Sequence, residues 1–579
     1  MICIRLLFMA VCFTSFSLIE TSHSQVTNPR PWAEWEETDG IIIHQPNFYP
    51  DQKPSPLELM IAEEWDSLYL DLIRGLLEEG VNIYYILDTN DRPEYHSGIL
   101  DTMHLKYGIN IHNPDFHIVI GCKEDYSALT KWTRDHGPMN VYKNVADSLY
   151  FFLFRDDFRG AGGILRDYLA IPDTIFYNAA SGSSASDGGN YMVDGHSMGI
   201  INGGEGVVLP DIKDFFGLDT VYSLPDYLVH ADYYLKIVNE ETLILSEHER
   251  DNYIYGTEPY TYEQDSAILA GLVAFFQEQV ISQYGRPLKV YQVPNPPSVQ
   301  DDSLQLWWYT QYASYTNSLI VNRSVFVPQF DTKKSDSTAL EIYREVMPGY
   351  KIVPVFSRRG ATGGGAVHCL TNSVAAGEPV LIRHAWYCDT ADLAPGYEIT
   401  ANILTRSGVK YASIFWSVAK DGPFQSISMQ NVSGDLFSGI IPRPDGADGI
   451  YYYITAESNS GRTGIKPVVA PDYCYHIVIR GGAPGWISPL SKASGHITVY
   501  PNPVSDILTF DLANSGLSSR GKLLIDLYDQ LGRAVYHQSS AITGKIVQVN
   551  VQSLSAGQYF LVLINEEGEF CSDKFLVHR

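Results

Sequence analysis

At 579 residues the chain is too long for one ordinary domain, and length alone suggests about three or four. Hydrophobic content of 45% with 12% aromatic residues supplies core material in quantity, which excludes a disordered chain. A formal charge of −27 excludes a surface built to track phosphates, so nucleic acid is not an expected partner; solubility of an exported protein explains the acidity more simply than a cationic ligand does.

The amino terminus, "MICIRLLFMAVCFTSFSLIETSHSQ", sets one arginine before an apolar run from Leu6 to about Phe16 and follows it with small polar residues. This predicts a signal peptide over residues 1–25, too short for a permanent span. No later stretch of about 20 apolar residues occurs, so no transmembrane segment is expected. Cys3 and Cys12 leave with the signal. Cys122, Cys369, Cys388, Cys474 and Cys571 remain, an odd set too sparse to staple a chain of this size, though Cys388 and Cys474 could pair.

From about 31 to 385, strand-like and helix-like stretches alternate. Apolar residues at Leu57, Met60, Ile61, Trp65, Leu68, Leu72, Ile73 and Leu76 form one helical face, with Ser55 and Pro56 suited to its cap and first position. "VNIYYIL", "FHIVIG" and "SLYFFLF" follow as short strands. A second helix is expected over roughly 261–283, followed by the strand "LKVYQV". "NSLIVNRSVFVP" reads as a hairpin turning at Asn322-Arg323-Ser324, and a third helix over about 337–346 leads into "YKIVPVF". Two or three strands accompany each helix, which predicts an α/β domain with mixed strand pairing. After Cys388 the helical period stops. "YEITANILTR", "YASIFWSVA", "FSGIIP", "IYYYITAES" and "YCYHIVIRG" predict an all-β sandwich over 390–480, and "GGAPGWISPLSKASG" a linker over 481–495.

The last segment, 496–579, resembles the C-terminal sorting domain of the bacterial type IX secretion route in "YPNP", "LYDQLGR", "LSAGQYFLVL" and the ending "DKFLVHR". The resemblance implies handling by the type IX machinery and a product secreted or attached to the outer-membrane surface. A second sandwich module used for binding is the alternative reading.

Polar residues concentrate at four places in the α/β region. "GATGGGAVHCL" loosens the backbone just before Cys369; "KWTRDHGPMN" offers Trp132 and Asp135; "DYLVHADYY" sets His230 and Asp232 two apart; "SYTNSLIVN" carries Asn317 into a hairpin strand. Glycine permits close approach, and a deprotonated thiol is a strong nucleophile, so the first string reads as a presented nucleophile or as a buried structural cysteine after a loop. If 228–234 is a strand, His230 and Asp232 face one side. Alone, each string is also what a surface pair or a salt-bridged turn gives. As a set they suit one chemistry: carboxylates grip a planar guanidinium through paired charge-assisted hydrogen bonds, a cysteine attacks its carbon, and a histidine protonates departing ammonia.

"WTRDHGPMNVY", "DGGNYMVDGH", "VHAD", "TNSLIVN…VFVPQFD", "YREVMPGYKIVPV" and "GGGAVHC", in this order, resemble the peptidylarginine deiminases of bacterial type, related to agmatine deiminases. The resemblance covers about 35–385, within a catalytic domain expected over 31–385. It implies a five-bladed α/β-propeller followed by an immunoglobulin-like module and the sorting domain, and a reaction without metal or other cofactor. That reaction turns the arginine of a peptide or protein into citrulline plus ammonia through a cysteine thiouronium intermediate. Carried over residue by residue, it makes Cys369 the nucleophile, His230 the general acid/base, Asp135 and Asp232 the guanidinium-holding carboxylates, Asn317 a polar neighbour of the thiol, and Trp132 and Tyr227 the lining of the substrate channel. One departure stands out. Where such enzymes place two arginines two residues apart to hold a terminal carboxylate, this chain reads "RDDFRG", with Asp156 and Phe158 in register and Arg155 and Arg159 four apart. Deimination of a small guanidine such as agmatine, or an inactive binding protein on the same fold, are the alternatives.

Overall fold

The computed structural model describes residues 28–44, 56–88, 93–121, 132–153, 164–165, 168–169, 174–176, 188–202, 213–214, 216–225, 230–248, 261–295, 313–362, 365–387, 396–447, 449–479, 491–492, 497–512, 515, 517, 522–528, 534–541, 546–565 and 569–579. The expected signal peptide, Cys122, the 155–160 stretch, Tyr227, Gly363, Gly364, Cys388 and most of the 481–495 linker lie outside the described residues.

The chain divides into two compact units, one running to Pro444 and including Gly449–Val478, the other made of Asp445–Asp448 and Ile479–Arg579. In the larger unit, the described strands between Arg30 and Ala375 form five small sheets of three or four strands each. Three of them repeat one plan, an antiparallel pair whose second strand takes a parallel partner beyond a helix. Leu235–Asn239 pairs antiparallel with Thr242–Glu247, and the helix Tyr262–Gln279 leads to the parallel strand Lys289–Pro294. Leu319–Val321, Ser324–Gln329, the helix Lys333–Val346 and Lys351–Phe356 repeat it. In the third case the first strand comes from the far end of the domain: Thr371–Ala375 pairs with Thr38–His44, the helix Pro56–Glu79 follows, and Asn82–Asp88 adds in parallel. A parallel neighbour requires a crossover long enough for a helix, so the mixed pairing and the helix spacing are one fact.

The helices begin where local chemistry lets them. Pro56 opens the first, a position where its missing N–H costs nothing. Thr261 caps the second by accepting from the Gln264 amide while the Gln264 side chain accepts from Thr261. The third starts at Lys333, four residues before its expected start at Ser337. The hairpin turn is Asn322-Arg323, with Asn322 at φ 48°, and Ser324 already pairs with Val321 as strand. One apolar core, including Ile41, Ile43, Leu72, Tyr85, Ile244, Leu319, Phe326 and Leu370, joins these sheets and helices.

Residues 381–478 add two antiparallel sheets to the same unit. Burial alternates along Gly396–Leu404 and Gly449–Ser458, as strands with one packed face require. Arg323 fastens this module to the hairpin: its guanidinium donates to the carbonyls of Val469 (3.1 Å) and Ala470 (3.0 Å) and pairs with Asp472 at 2.5 Å. Cys474 is a free thiol directed at the Pro471 carbonyl. The smaller unit is also all β, a five-stranded and a three-stranded sheet around a core that includes Leu508, Phe510, Ile525, Leu561 and Phe575.

Buried Asn140 couples the strand Met139–Tyr142 to Thr371–Ala375, donating to the Ser373 carbonyl (2.8 Å) and accepting from the Ala375 amide (3.1 Å). Asn140→Ala strands both groups at about 1–3 kcal/mol each. Urea denaturation is expected to show about 2–5 kcal/mol lost; a loss under about 0.5 kcal/mol would mean that the two strands do not depend on this bridge.

Candidate active site

Cys369 lies in the tight turn 367–370, which leads directly into the strand Thr371–Ala375. One side chain holds that turn. The Asn317 Oδ1 accepts from the backbone amides of Ala366 (3.1 Å), His368 (3.1 Å) and Cys369 (3.3 Å). Its Nδ2 donates to the Cys369 Sγ at 3.1 Å and to the Asp232 carbonyl at 3.4 Å. Asn317 does this from the bend before Leu319–Val321, not from the expected strand, because a strand would commit its backbone to the ladder.

His230 and Asp232 also differ from expectation. They lie in a single 3₁₀ turn, Ala231–Tyr233, with His230 at its N-cap, and the strand starts only at Leu235. The Asn190 Oδ1 fixes the turn by accepting from the Ala231 amide at 3.0 Å. The two side chains nonetheless converge. A Cβ on Gly189 would lie 2.7 Å from His230 Nδ1 and 3.1 Å from Asp232 Oδ2, so only glycine fits there. Asp135, in the short helix Thr133–His136, places Oδ1 3.7 Å from His230 Nδ1. Trp132 caps that helix and is buried. The last glycine of the triplet explains the loosened backbone: a Cβ on Gly365 would lie 2.5 Å from the Trp132 ring and 2.8 Å from the Cys369 Cβ. Cys369, Asn317, His230, Asp232, Asp135 and Trp132 thus come together; Tyr227 lies outside the described residues.

Four further residues were not singled out in the sequence. His368 sends Nδ1 to Asp232 Oδ2 (2.8 Å) and Nε2 to Glu34 Oε2 (3.1 Å). Glu34 in turn accepts from the Lys236 ammonium through both oxygens (2.7 and 2.6 Å) and from the Ile320 amide (2.7 Å). Arg134 donates its amide to the Cys369 carbonyl (3.1 Å) and its Nε to the His368 carbonyl (3.3 Å). Lys236 sits inside the apolar run "LKIV" and is 1% exposed. A cation in a core strand needs an anionic partner, and that was the available signal.

Burial, with Asp232 and Asp135 nearby, pushes the Cys369 thiol well up; the Asn317 hydrogen bond opposes this. Burial would also raise Asp232, but the His368 hydrogen bond and charge outweigh it and hold this carboxyl below the ordinary range. The same contest at Glu34 is won by Lys236, His368 and Arg134. Asp232 Oδ1 is buried with no hydrogen-bond partner among the described residues. The arrangement therefore presents a neutral thiol beside a buried anionic oxygen: a place for a flat cation, with a nucleophile against it.

Residues 211–374 match the family model described as Porphyromonas-type peptidyl-arginine deiminase, and residues 498–578 match a secretion system C-terminal sorting domain. The chain carries a deiminase-family region and a type IX sorting domain. The sorting domain indicates secretion or attachment at the cell surface. A provisionally named agmatine deiminase of Vibrio parahaemolyticus is 44% identical over 64 residues, 11% of this chain and 18% of its own length. Another, from Marinomonas sp., is 32% identical over 108 residues, 17% of this chain and 29% of its own. The chain thus matches less than a third of either relative's length. Among solved structures, an agmatine deiminase of C. jejuni aligns with 60% of this chain and 96% of its own at 15% identity and a TM-score of 0.44. One of Enterococcus faecalis covers 60% and 95% at 17% identity and a TM-score of 0.42. No described helix is long and apolar enough to cross a membrane.

The Cys369 thiol is expected to alkylate slowly with iodoacetamide at pH 7–8, with a rate that climbs through a midpoint above the 9.0 of a free thiol. Asn317→Asp removes the donor to Sγ and adds a carboxylate, so alkylation at fixed pH should slow at least about tenfold, one unit of pKa. Intact-mass time courses read both. Equal rates in wild type and variant would remove Asn317 from the thiol's electrostatics.

Proposed function

We propose that the protein is a secreted, cofactor-independent deiminase that hydrolyses the guanidine of arginine in peptides or proteins. The observation that carries this is the convergence of Cys369, His230, Asp232 and Asp135, with Asp232 Oδ1 buried and available to a cation. The five sheets, with the strand after Cys369 paired to Thr38–His44, support a five-bladed propeller, and the paired sheets of 381–478 support an immunoglobulin-like module.

In this reading, Asp232 and Asp135 hold the guanidinium. Its positive charge reverses the field that keeps Cys369 protonated, so substrate ionises its own nucleophile. The thiol proton passes to His230. The thiolate attacks the guanidinium carbon, and the tetrahedral adduct breaks its bond to one terminal nitrogen, which takes the proton from His230 and leaves as ammonia. Water then adds to the thiouronium carbon as His230 accepts its proton, and the C–S bond breaks to release a ureido group and the thiol. Net, a guanidinium and a water become a ureido group and an ammonium ion.

The sorting domain favours a substrate met outside the cell, hence arginine in a polypeptide; the agmatine deiminase relatives favour the small-guanidine alternative. Ammonia release from a benzoyl-arginine derivative against agmatine separates the two. Cys369→Ala is expected to abolish turnover with the thermal midpoint little changed; near-normal ammonia release in that variant would end the covalent mechanism. Asp156 in place of a cation would repel a terminal carboxylate, so peptides ending in free or amidated arginine should be turned over comparably. A preference above about a hundredfold for the free acid, roughly 2.7 kcal/mol, would return carboxylate recognition to Arg155 or Arg159.

A further inference from the structure

We infer that His368 is a positioning residue of this site, a buried imidazolium that holds Asp232 with one oxygen left for the ligand, and that Glu34 fixes its charge. The inference rests on the reading of Asp232 as a guanidinium-holding carboxylate. Both ring nitrogens face carboxylate oxygens at hydrogen-bond distance, 2.8 Å to Asp232 and 3.1 Å to Glu34. An ionised carboxylate only accepts, whereas a neutral imidazole has one donor and one acceptor nitrogen. A neutral ring would set a lone pair against one of the two anions. Two donors require the imidazolium.

The other charged groups around the ring agree with this. Lys236 directs its ammonium to Glu34, and Arg134 reaches the His368 carbonyl, not its ring. His230 and Asp135 face each other, with Oδ1 of Asp135 3.7 Å from Nδ1 of His230. The ring is 3% exposed and Asp232 is fully buried, so neither can draw compensation from bulk water. Glu34, Lys236, Arg134 and His368 also line a cavity of about 60 Å³ to which neither Cys369 nor Asp232 contributes. The charge chain therefore runs from that cavity, through the ring, to the carboxylate beside the thiol. Bonding at Oδ2 takes the His368 proton and the thiol, and leaves Oδ1 for the guanidinium.

The signature is electrostatic. In His368→Gln a neutral donor replaces the cation and buried Asp232 gains protons more readily, so the acid limb of kcat/KM should move up by about one pH unit or more. Activity should recover toward pH 9. In Glu34→Gln the ring no longer has to donate from both nitrogens, so Asp232 loses its charged partner and the acid limb should move up as in His368→Gln. A uniform fall in kcat with both limbs in place would mean a structural role only and would overturn the inference. Independently of any substrate, ¹⁵N-histidine spectra of the wild-type chain should show one imidazolium persisting at pH 8, assigned by its absence from His368→Gln. A neutral tautomer there overturns the inference even if guanidine turnover is normal. An imidazolium in a protein that turns over no guanidine would uphold the charge chain and sink the deiminase reading instead.

Discussion

An aspartate with no exposure to solvent has to be kept charged, and the centre of the larger unit is organised by that requirement. Asp232 is balanced by His368, His368 by Glu34, and Glu34 by Lys236 with Arg134 close by. Removing any one partner leaves a buried charge uncompensated, which costs far more than the pair contributes when intact. These residues come from the turn at Glu34, the short helix at Arg134, the 3₁₀ turn at Asp232 with the strand that follows it, and the turn at His368, so the network also sets where four separated parts of the chain meet. Stability and electrostatics are the same problem here.

The thiol occupies the unfavourable end of that solution. Two carboxylates and burial hold it protonated, and Asn317 opposes them through a hydrogen bond that also fixes the turn the thiol stands on, with the Ala366 backbone acting in the same direction. In the proposed reading such a site is inert without a cation and becomes nucleophilic with one. Selectivity for a cationic group then follows from the resting charge as much as from shape.

The parts legible in the sequence were those with a local cause. The 3.6-residue period of Leu68, Leu72 and Leu76 and the alternation along Gly449–Ser458 gave helix and strand because each element buries one face. Cys369, Asp135, His230, Asp232 and Asn317 could be named from motif order, yet two of the local conformations attributed to them were wrong. An HxD pair reads as strand by alternation, but here a 3₁₀ turn brings both side chains to Gly189. Asn317 likewise serves the site from outside the ladder. His368 stood next to the nucleophile in plain view and carried no assignment, because its meaning depends on Glu34, 334 positions away. Pairings at that range leave no periodic trace; only the misplaced lysine in "LKIV" hinted at them.

The strand that follows Cys369 is laid against Thr38–His44, near the opposite end of the domain. Contacts between such distant stretches close the longest loop the domain contains and form late relative to local ones. The nucleophile is thus seated by the final act of assembly: a partly made or partly folded chain can have its hairpins and helices and still hold no reactive centre. That ordering is a timer: the chemistry proposed for Cys369 is withheld until the whole domain has been drawn together.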